Sequence, residues 1–282
     1  MNPIFHWVGG KRWLSPSINP IIYQNLKGKY IEPFFGSGAI FFGLQRNIRS
    51  ATLCDIIAPL MNTYREIKEN PLGVSRSLQE FRSCTLSQSY YEIMRDKFNI
   101  RFTNPIGGFT QEDAALFLFI NKSCFNGLWR QNKDGLFNVP YGKHTKIILP
   151  STADLIKISE RLHNTSLITI NEPYDIFSYI EQAEQGDVIF ADPPYYSVYD
   201  QYDGFTCSFN IKEFHAKLAA YLYEAYSRNV TVITTNIDDP FIRSLYGHFC
   251  QIEQFVRWQV VAAQSTDRKQ WKQIVMTAIP QI

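Results

Sequence analysis

The sequence is poor in the features that announce a covalent framework, a metal centre or a membrane. Its 282 residues carry five cysteines (Cys54, Cys84, Cys124, Cys207 and Cys250), an odd number with no C-x-x-C pair. Neither a disulfide framework nor a thiolate zinc site is supported, and a reducing compartment fits such usage. The five histidines (His6, His144, His163, His215 and His248) are scattered without metal-ligand spacing, so no metal is expected. No window reaches the roughly 18 apolar residues of a membrane span, and the opening "MNPIFHWVGGKRWL" lacks a signal peptide's apolar stretch. A cytoplasmic protein with no membrane partner is therefore expected. Repeats and low-complexity runs are missing too. Charge of one sign is also scarce: 28 basic against 26 acidic residues leave a net charge of +2. That balance alone identifies no polyanionic partner.

What is present is a core. Hydrophobic residues make up 45% and charged residues 19%, the balance of a folded globular chain. The 21 Phe and 16 Tyr exceed what a core alone demands and leave rings to stack on planar ligands. The length suits one large domain or two coupled ones.

Strand patterns alternate with helical ones. "KYIEPFFGSGAIFFGLQR" reads as a short strand from Tyr30 to Phe34, a glycine turn and a helix from about Ala39. "ATLCD" is a second strand, ending on Asp55. Between about 57 and 165 helical pattern mixes with polar loop; "EDAALFLFINKS" is an apolar helix with acids in its first turn, and "QNKDGLFNVPYGKHTK" is a basic loop or hairpin. Strands resume with "SLITI", "DVIFA", "VTVITTN", "EQFVRWQVV" and "QIVMTAI". One helix, "IKEFHAKLAAYLYEAYSR", starts after an Asn210 cap with Glu213 at its third position, and Phe214, Leu218 and Leu222 form its core face. His215 in the same helix reads as structural. The alternation predicts a mainly parallel, doubly wound α/β sheet, with the last two strands as an antiparallel edge pair. Residues 1–56 and 151–282 then form the main domain, and 57–150 an inserted lobe.

Two motifs carry chemistry. Gly36 and Gly38 stand between a strand and a helix, where glycine allows a sharp turn and close approach of a ligand. Asp55, ending the next strand, is placed to accept hydrogen bonds from ribose hydroxyls. The dinucleotide fingerprint is not met, because Phe41 takes the third glycine position. A nucleoside ligand without a pyrophosphate, such as S-adenosylmethionine, fits better; a plain strand–helix turn is the alternative. The second motif is "DVIFADPPYY". Pro193 and Pro194 cannot donate to a sheet ladder, so the strand stops and leaves Asp192 and Tyr195 at its carboxyl end, where open α/β sheets bind ligands. An exocyclic amine conjugated to a purine is a poor nucleophile. The Asp192 carboxylate and the Pro193 carbonyl offer two fixed acceptors that favour a tetrahedral nitrogen, and Tyr195 offers a stacking face. Cytosine-C5 chemistry needs a Pro-Cys nucleophile and zinc deaminases need H-x-E with P-C-x-x-C; neither occurs.

"DPPY" after an apolar strand, with "EPFFGSG" far upstream, resembles the amino-methyltransferases that use S-adenosylmethionine, and Asp at the head of the motif points to adenine N6. The order of glycine motif, long insertion and "DPPY" resembles the Dam-type (D12 class, alpha group) DNA adenine methyltransferases over nearly the whole chain. The resemblance implies the Rossmann-like methyltransferase fold, S-adenosylmethionine as cofactor, double-stranded DNA as substrate, and target recognition by a mainly helical insertion. By matching motifs it implies Trp7 and Lys11 in "WVGGKRWL", Phe34, Gly36 and Gly38, Asp55 and Asp192 as cofactor contacts. Asp192, Pro193, Pro194 and Tyr195 are implied as the catalytic set, and Phe125, Asn126, Arg130, Pro140 and Lys143 as DNA contacts. "TTNID" resembles the family's late motif bordering the adenine pocket. The match of "NGLWRQN" and "FNVPYG" to members acting on GATC implies GATC or a GAT-containing site, read by base flipping. A monomer is expected, with a cognate restriction endonuclease as a separately acting partner.

Read by itself, the same insertion clusters Lys122, Arg130, Lys133, Lys143 and Lys146 with Phe125, Trp129 and Phe137. Basic side chains supply phosphate contacts, Arg130 has the fork for a guanine edge, and Phe125 suits a wedge into the base stack. A solvated basic loop over core aromatics is the alternative. Two departures stand out. Lys143 takes a position that is often Arg in the family, which reduces it to a phosphate contact. "VVAAQSTDRKQWKQ" matches loosely, with Arg268, Lys269 and Lys272 expected in a mobile loop on the DNA backbone. Methylation of RNA or of a protein amide, and a non-catalytic DNA-binding protein of the same fold, remain the alternative functions.

Overall fold

The computed structural model describes residues 1–46, 48–104, 107–196, 210–258 and 270–281. Seven strands form one sheet: β1 (Tyr30–Glu32), β2 (Ala51–Asp55), β3 (Thr165–Thr169), β4 (Val188–Ala191), β5 (Thr231–Ile237), β6 (Gln251–Trp258) and β7 (Gln270–Ala278). Their spatial order is β3-β2-β1-β4-β5-β7-β6. The first five run parallel, while β7 pairs antiparallel with both β5 and β6. The doubly wound sheet and its antiparallel edge are as the alternation predicts. β1 is shorter than expected: it ends at Glu32 because Pro33 offers no N–H to the ladder. β6 starts earlier than expected, at Gln251.

Both faces of the sheet are covered, which is why β4 reads as an unbroken apolar run. Val188 and Phe190 point into one core, and Ile189 and Ala191 into the other. The first core takes in α1 (Ser15–Asn25), α2 (Ala39–Gly43), α3 (Ala58–Glu69), α4 (Pro71–Ser77), α5 (Gln79–Ser83), α6 (Gln88–Thr103), α7 (Gln111–Ser123) and α8 (Thr152–Leu162). The second is closed by α9 (Ile176–Glu181), α10 (Ile211–Ser227) and α11 (Pro240–Tyr246). Asn210 caps α10 through Lys212 and Glu213, and Phe214, Leu218 and Leu222 are buried beneath it.

The stretch that mixed helix and loop signals resolves into α3 to α8. Thr110 and Asp113 form a reciprocal capping box at the start of α7, and Arg101 from α6 grips Asp113. The Arg65 guanidinium of α3 donates to the Leu167 carbonyl and the Thr169 hydroxyl, tying this helix to β3. The helices of 58–123 thus share their core with one face of the sheet.

β2 and β3 lie to one side of β1, and β4 and β5 to the other, so the sheet switches direction between β1 and β4. Ligands of open α/β sheets bind at the carboxyl ends flanking such a switch. Asp187 sets the level of the two strands: its carboxylate accepts from the Lys29 and Glu184 backbone N–H groups at 2.6 and 3.0 Å. With Tyr30 opposite Val188, the residues following Glu32 and Ala191 emerge together.

Candidate active site at the sheet switch point

The turn after β1 is built on two glycines with positive φ, Gly36 at 49° and Gly38 at 64°. A Cβ on Gly36 would sit 2.9 Å from the Trp7 indole nitrogen, and one on Gly38 would sit 2.5 Å from the Phe35 ring. Both positions are closed to a side chain, Gly36 by the indole and Gly38 by the buried Phe35 and Phe42 rings. Asp55, at the tip of β2, braces this turn. Its Oδ2 accepts from the Gly36 N–H at 2.7 Å and its Oδ1 from the Ile57 N–H at 3.0 Å. With up to four acceptor sites on its two oxygens, the carboxylate retains capacity for a ligand hydroxyl. Burial pushes this carboxyl up to about 6, against the three backbone N–H groups that lower it. Bare glycine backbone beside an indole, with an acid at the next strand tip, fits the nucleoside and amino-acid portions of S-adenosylmethionine.

Across the switch point, Asp192 emerges from β4 with its side chain 21% exposed. Its Oδ2 lies 2.8 Å from the Lys11 ammonium, which is only 4% exposed. Its Oδ1 accepts from the Thr235 hydroxyl of β5 at 2.5 Å. Burial acts to lower the Lys11 ammonium, but the charge of Asp192, together with Tyr195, outweighs it and holds the group above its ordinary value. The ammonium also donates to the Gly9 carbonyl and lies 4.8 Å from the centroid of the Tyr195 ring. One face of that ring is thereby occupied. Burial pushes the Tyr195 hydroxyl up to about 12. Pro193 is buried, and the Tyr196 N–H donates to Asn236 Oδ1 at 3.1 Å.

The structure gathers Trp7, Lys11, Gly36, Gly38, Asp55, Asp192 and Tyr195 around the carboxyl ends of the central strands β1, β2 and β4. Phe34 packs edge-on against Phe214, its ring centroid 6.2 Å away. Lys11 is held by Asp192 itself, a partner the family motif did not specify. A cleft of about 550 Å3 opens farther along, at the end of β3, between Ile170, Tyr174, Phe177, Lys217 and Tyr221. It is not lined by the glycine turn or by Asp192.

The basic stretch from Gln131, expected as a loop or hairpin, is the tip and return arm of a hairpin over 124–143 that starts earlier, closed by bridges between Cys124 and Tyr141 and between Gln131 and Phe137. Phe125, Asn126, Arg130, Pro140 and Lys143 are all exposed on it, Phe125 at 39%. Asn126 and Lys143 both hold φ at 55°, and the Phe125 N–H donates to the Pro140 carbonyl at 2.9 Å. Arg130 folds back on Asn138, with Nε 2.7 Å from its Oδ1 and Nη2 3.0 Å from its backbone oxygen. The aromatics divide. Phe137 is buried and Trp129 packs with it against Phe98, Phe102 and Phe117, so only Phe125 is presented outward. Lys122 is half-buried beside His6, and burial lowers its ammonium to about 8. The N-terminal segment joins this hairpin to the switch point. Asn121 on α7 accepts from the His6 N–H and donates to the His6 carbonyl, both at 2.9 Å.

Lys272, expected in a loop, lies exposed within β7. Arg268 and Lys269 lie outside the described residues. Sequence reasoning missed Thr235, Asn236 and Glu32. The first two stand in "TTNID", but no periodicity distinguishes a strand-tip hydroxyl from core. Glu32 is an acid at the end of an apolar strand; it is fully buried, accepts from the Tyr30 hydroxyl at 2.8 Å, and is pushed well above the usual carboxyl range by burial. Among the described residues no three His, Cys, Asp or Glu side chains form a metal-holding group, and no helix is long and apolar enough to cross a membrane.

Comparison with known proteins identifies the family. Residues 7–263 match the family described as D12 class N6 adenine-specific DNA methyltransferase. The chain is 28% identical over 279 residues to the Type II methyltransferase M1.LlaDCHI of Lactococcus lactis subsp. cremoris, covering 98% of this chain and 95% of that one. It is 32% identical over 248 residues to a DNA adenine methylase of Serratia marcescens, covering 86% of each. It is also 32% identical over 250 residues to a DNA N-6-adenine-methyltransferase of Escherichia phage P1, of which the match spans only 31%. With a glycine turn braced by an acid on one side of the switch point and a tethered "DPPY" on the other, the chain belongs to the D12 class of N6 adenine-specific DNA methyltransferases, enzymes that use S-adenosylmethionine.

Proposed function

We propose that this enzyme methylates an adenine turned out of double-stranded DNA, within GATC or a GAT-containing site. The observation that carries this reading is the Asp192 carboxylate, held at the tip of β4 by Lys11 and Thr235 and one strand away from the glycine turn. When bound, S-adenosylmethionine supplies a methyl group on a positively charged sulfur to a nitrogen lone pair. Trp7, Gly36, Gly38 and Phe34 hold its amino-acid and nucleoside portions, and the Asp55 oxygens orient its ribose hydroxyls.

Asp192 performs the electronic work on the target. The lone pair of adenine N6 is delocalised into the ring, and N–H donation to two fixed oxygens draws it back onto nitrogen. Asp192 Oδ2 keeps an acceptor site beside Lys11, and the Pro193 carbonyl provides the other. Tyr195 stacks on the extruded base with the face opposite Lys11. The proton that N6 must shed leaves to solvent.

Residues 57–150 supply recognition. On the exposed hairpin, Arg130 reads a base edge in the major groove, Asn126 and Pro140 shape the contact, and Lys143 contacts phosphate. Phe125 fills the gap left by the flipped base. The protein acts as a monomer, with a cognate restriction endonuclease acting separately on the same site. Labelled-methyl incorporation into duplex DNA, with RNA and protein as parallel substrates, tests the reading, and sequencing that detects modified bases gives the site. Asp192→Ala should abolish transfer while the protein still folds. Transfer to RNA or protein alone, or full activity of that variant, overturns it.

A further inference from the structure

Asp192 begins a segment that cannot anchor itself. Pro193 and Pro194 have no backbone N–H, so two of the donors that would fix residues 192–196 against the sheet are missing. The ion pair to Lys11 does not replace them. An ammonium on a four-carbon stem is a rotatable point charge, and a carboxylate turning about its final torsion meets only a broad, two-fold barrier. Lys11 therefore holds the charge of Asp192 without fixing the plane of its two oxygens. That plane decides whether the target N–H meets a lone pair or misses it.

The missing constraint comes from β5. Thr235 is 1% exposed, and its hydroxyl donates to Asp192 Oδ1 at 2.5 Å. A β-branched side chain has restricted χ1, so the backbone sets where that hydroxyl stands. The backbone is itself pinned on both sides, by β4 with Ala191 opposite Thr234, and by β7 with Val275 opposite Thr235. The next residue performs the matching task. Asn236 Oδ1 accepts from the Ile237 N–H at 2.8 Å and from the Tyr196 N–H at 3.1 Å, so it is locked on its own strand while gripping the far end of the segment. Two consecutive residues of β5 thus hold the first and last residues of the 192–196 stretch.

We propose that Thr235 is a positioning residue for methyl transfer: its hydroxyl fixes the rotation of the Asp192 carboxylate, and Asn236 completes the clamp at Tyr196. This rests on the reading of Asp192 as the acceptor for the target amine. Thr235 acts through Asp192.

The test compares Thr235→Val, which removes the donor but keeps the branched shape, with Thr235→Ser, which restores it, and Thr235→Ala as a second deletion. In single-turnover and steady-state methylation of duplex DNA, the Val and Ala variants should lose about ten- to a hundredfold in kcat, the scale of a misplaced catalytic group. KM for cofactor and DNA should stay within about twofold, because binding is not what the hydroxyl supplies. Thr235→Ser should recover most of the rate. A crystal structure of Thr235→Val should show the Asp192 carboxylate turned from its wild-type plane. Wild-type kcat in both deletion variants, a loss that Ser does not rescue, or an unmoved carboxylate overturns the proposal. A wild-type enzyme inactive on DNA would overturn the proposed substrate instead, while the Asp192 orientation in the variant crystal would still judge the clamp.

Discussion

The Lys11 ammonium lies 2.8 Å from Asp192 Oδ2, joining positions 181 residues apart. A buried cation facing a partly exposed anion is a relationship between unequal partners. Removing the cation leaves the carboxylate uncompensated at the tip of β4. Removing the anion strands an ammonium with almost no water. The first route tests the pair with less damage to the fold.

Lys11→Met should destabilise the protein at neutral pH by about 3–5 kcal/mol, the scale of breaking a buried pair by deleting one member. The native ammonium titrates above its ordinary value of 10.5. The pair's contribution is therefore fully present below about pH 10.5 and is lost as pH rises through the higher native value. Urea unfolding of both proteins at pH 7, 9 and 11 should show a gap that narrows only at the alkaline end. A gap independent of pH would refute the assignment.

Asp55 gives the opposite pH signature. Its native carboxyl titrates near 6 against 3.8 unfolded, so the cost of holding the anion in the fold appears as pH climbs from 3.8 to 6. Stability from this group is highest below pH 3.8 and declines through that window. Cofactor binding moves the other way, because ribose hydroxyls need the deprotonated acceptor. Calorimetric titration with S-adenosylmethionine between pH 5 and 7 should tighten across about 6, and Asp55→Asn should flatten the curve.

How much of this arrangement the sequence reveals depends on which neighbours matter. "ATLCD" matches β2 residue for residue and "DVIFA" exceeds β4 only by Asp187, because a buried parallel strand is a near-continuous apolar run that stops at its first misfit. The Asn210 cap of α10 was equally legible, as one side chain answers for the local backbone donors. The helices between 58 and 103 were not separable. Ile93 and Ile100 of α6 are exposed, which blurs its apolar stripe, and Pro71 and Gly73 break up the region around α4. In the site, Asp55 and Asp192 were legible because one ends a strand and the other directly follows one. Thr235 was not, because its importance lies in a neighbouring strand 43 residues away.

Gly38→Ala tests the turn. The new Cβ would meet the Phe35 ring at 2.5 Å and the Phe42 ring at 2.8 Å, on a backbone held at φ 64°. Strain of about 1–3 kcal/mol is expected, together with loss of cofactor binding. Denaturant midpoints and equilibrium dialysis read the two effects. An Ala variant with unchanged stability would show that the turn does not need glycine.

On the hairpin, Arg130→Ala should weaken discrimination at one base pair of the recognition site by about 1–3 kcal/mol, while Lys143→Ala should weaken binding to all sequences alike. Competition binding with duplexes altered at each position separates the two. Uniform loss from Arg130→Ala would make it a phosphate contact.

Asn121 spans from α7 to both backbone groups of His6, the residue immediately before Trp7, whose indole lies against the glycine turn. The hairpin that follows α7 and the indole beside Gly36 are therefore joined by covalent bonds and two short contacts. Whatever change in affinity occupancy of one end makes at the other is returned by the same factor, whichever molecule arrives first.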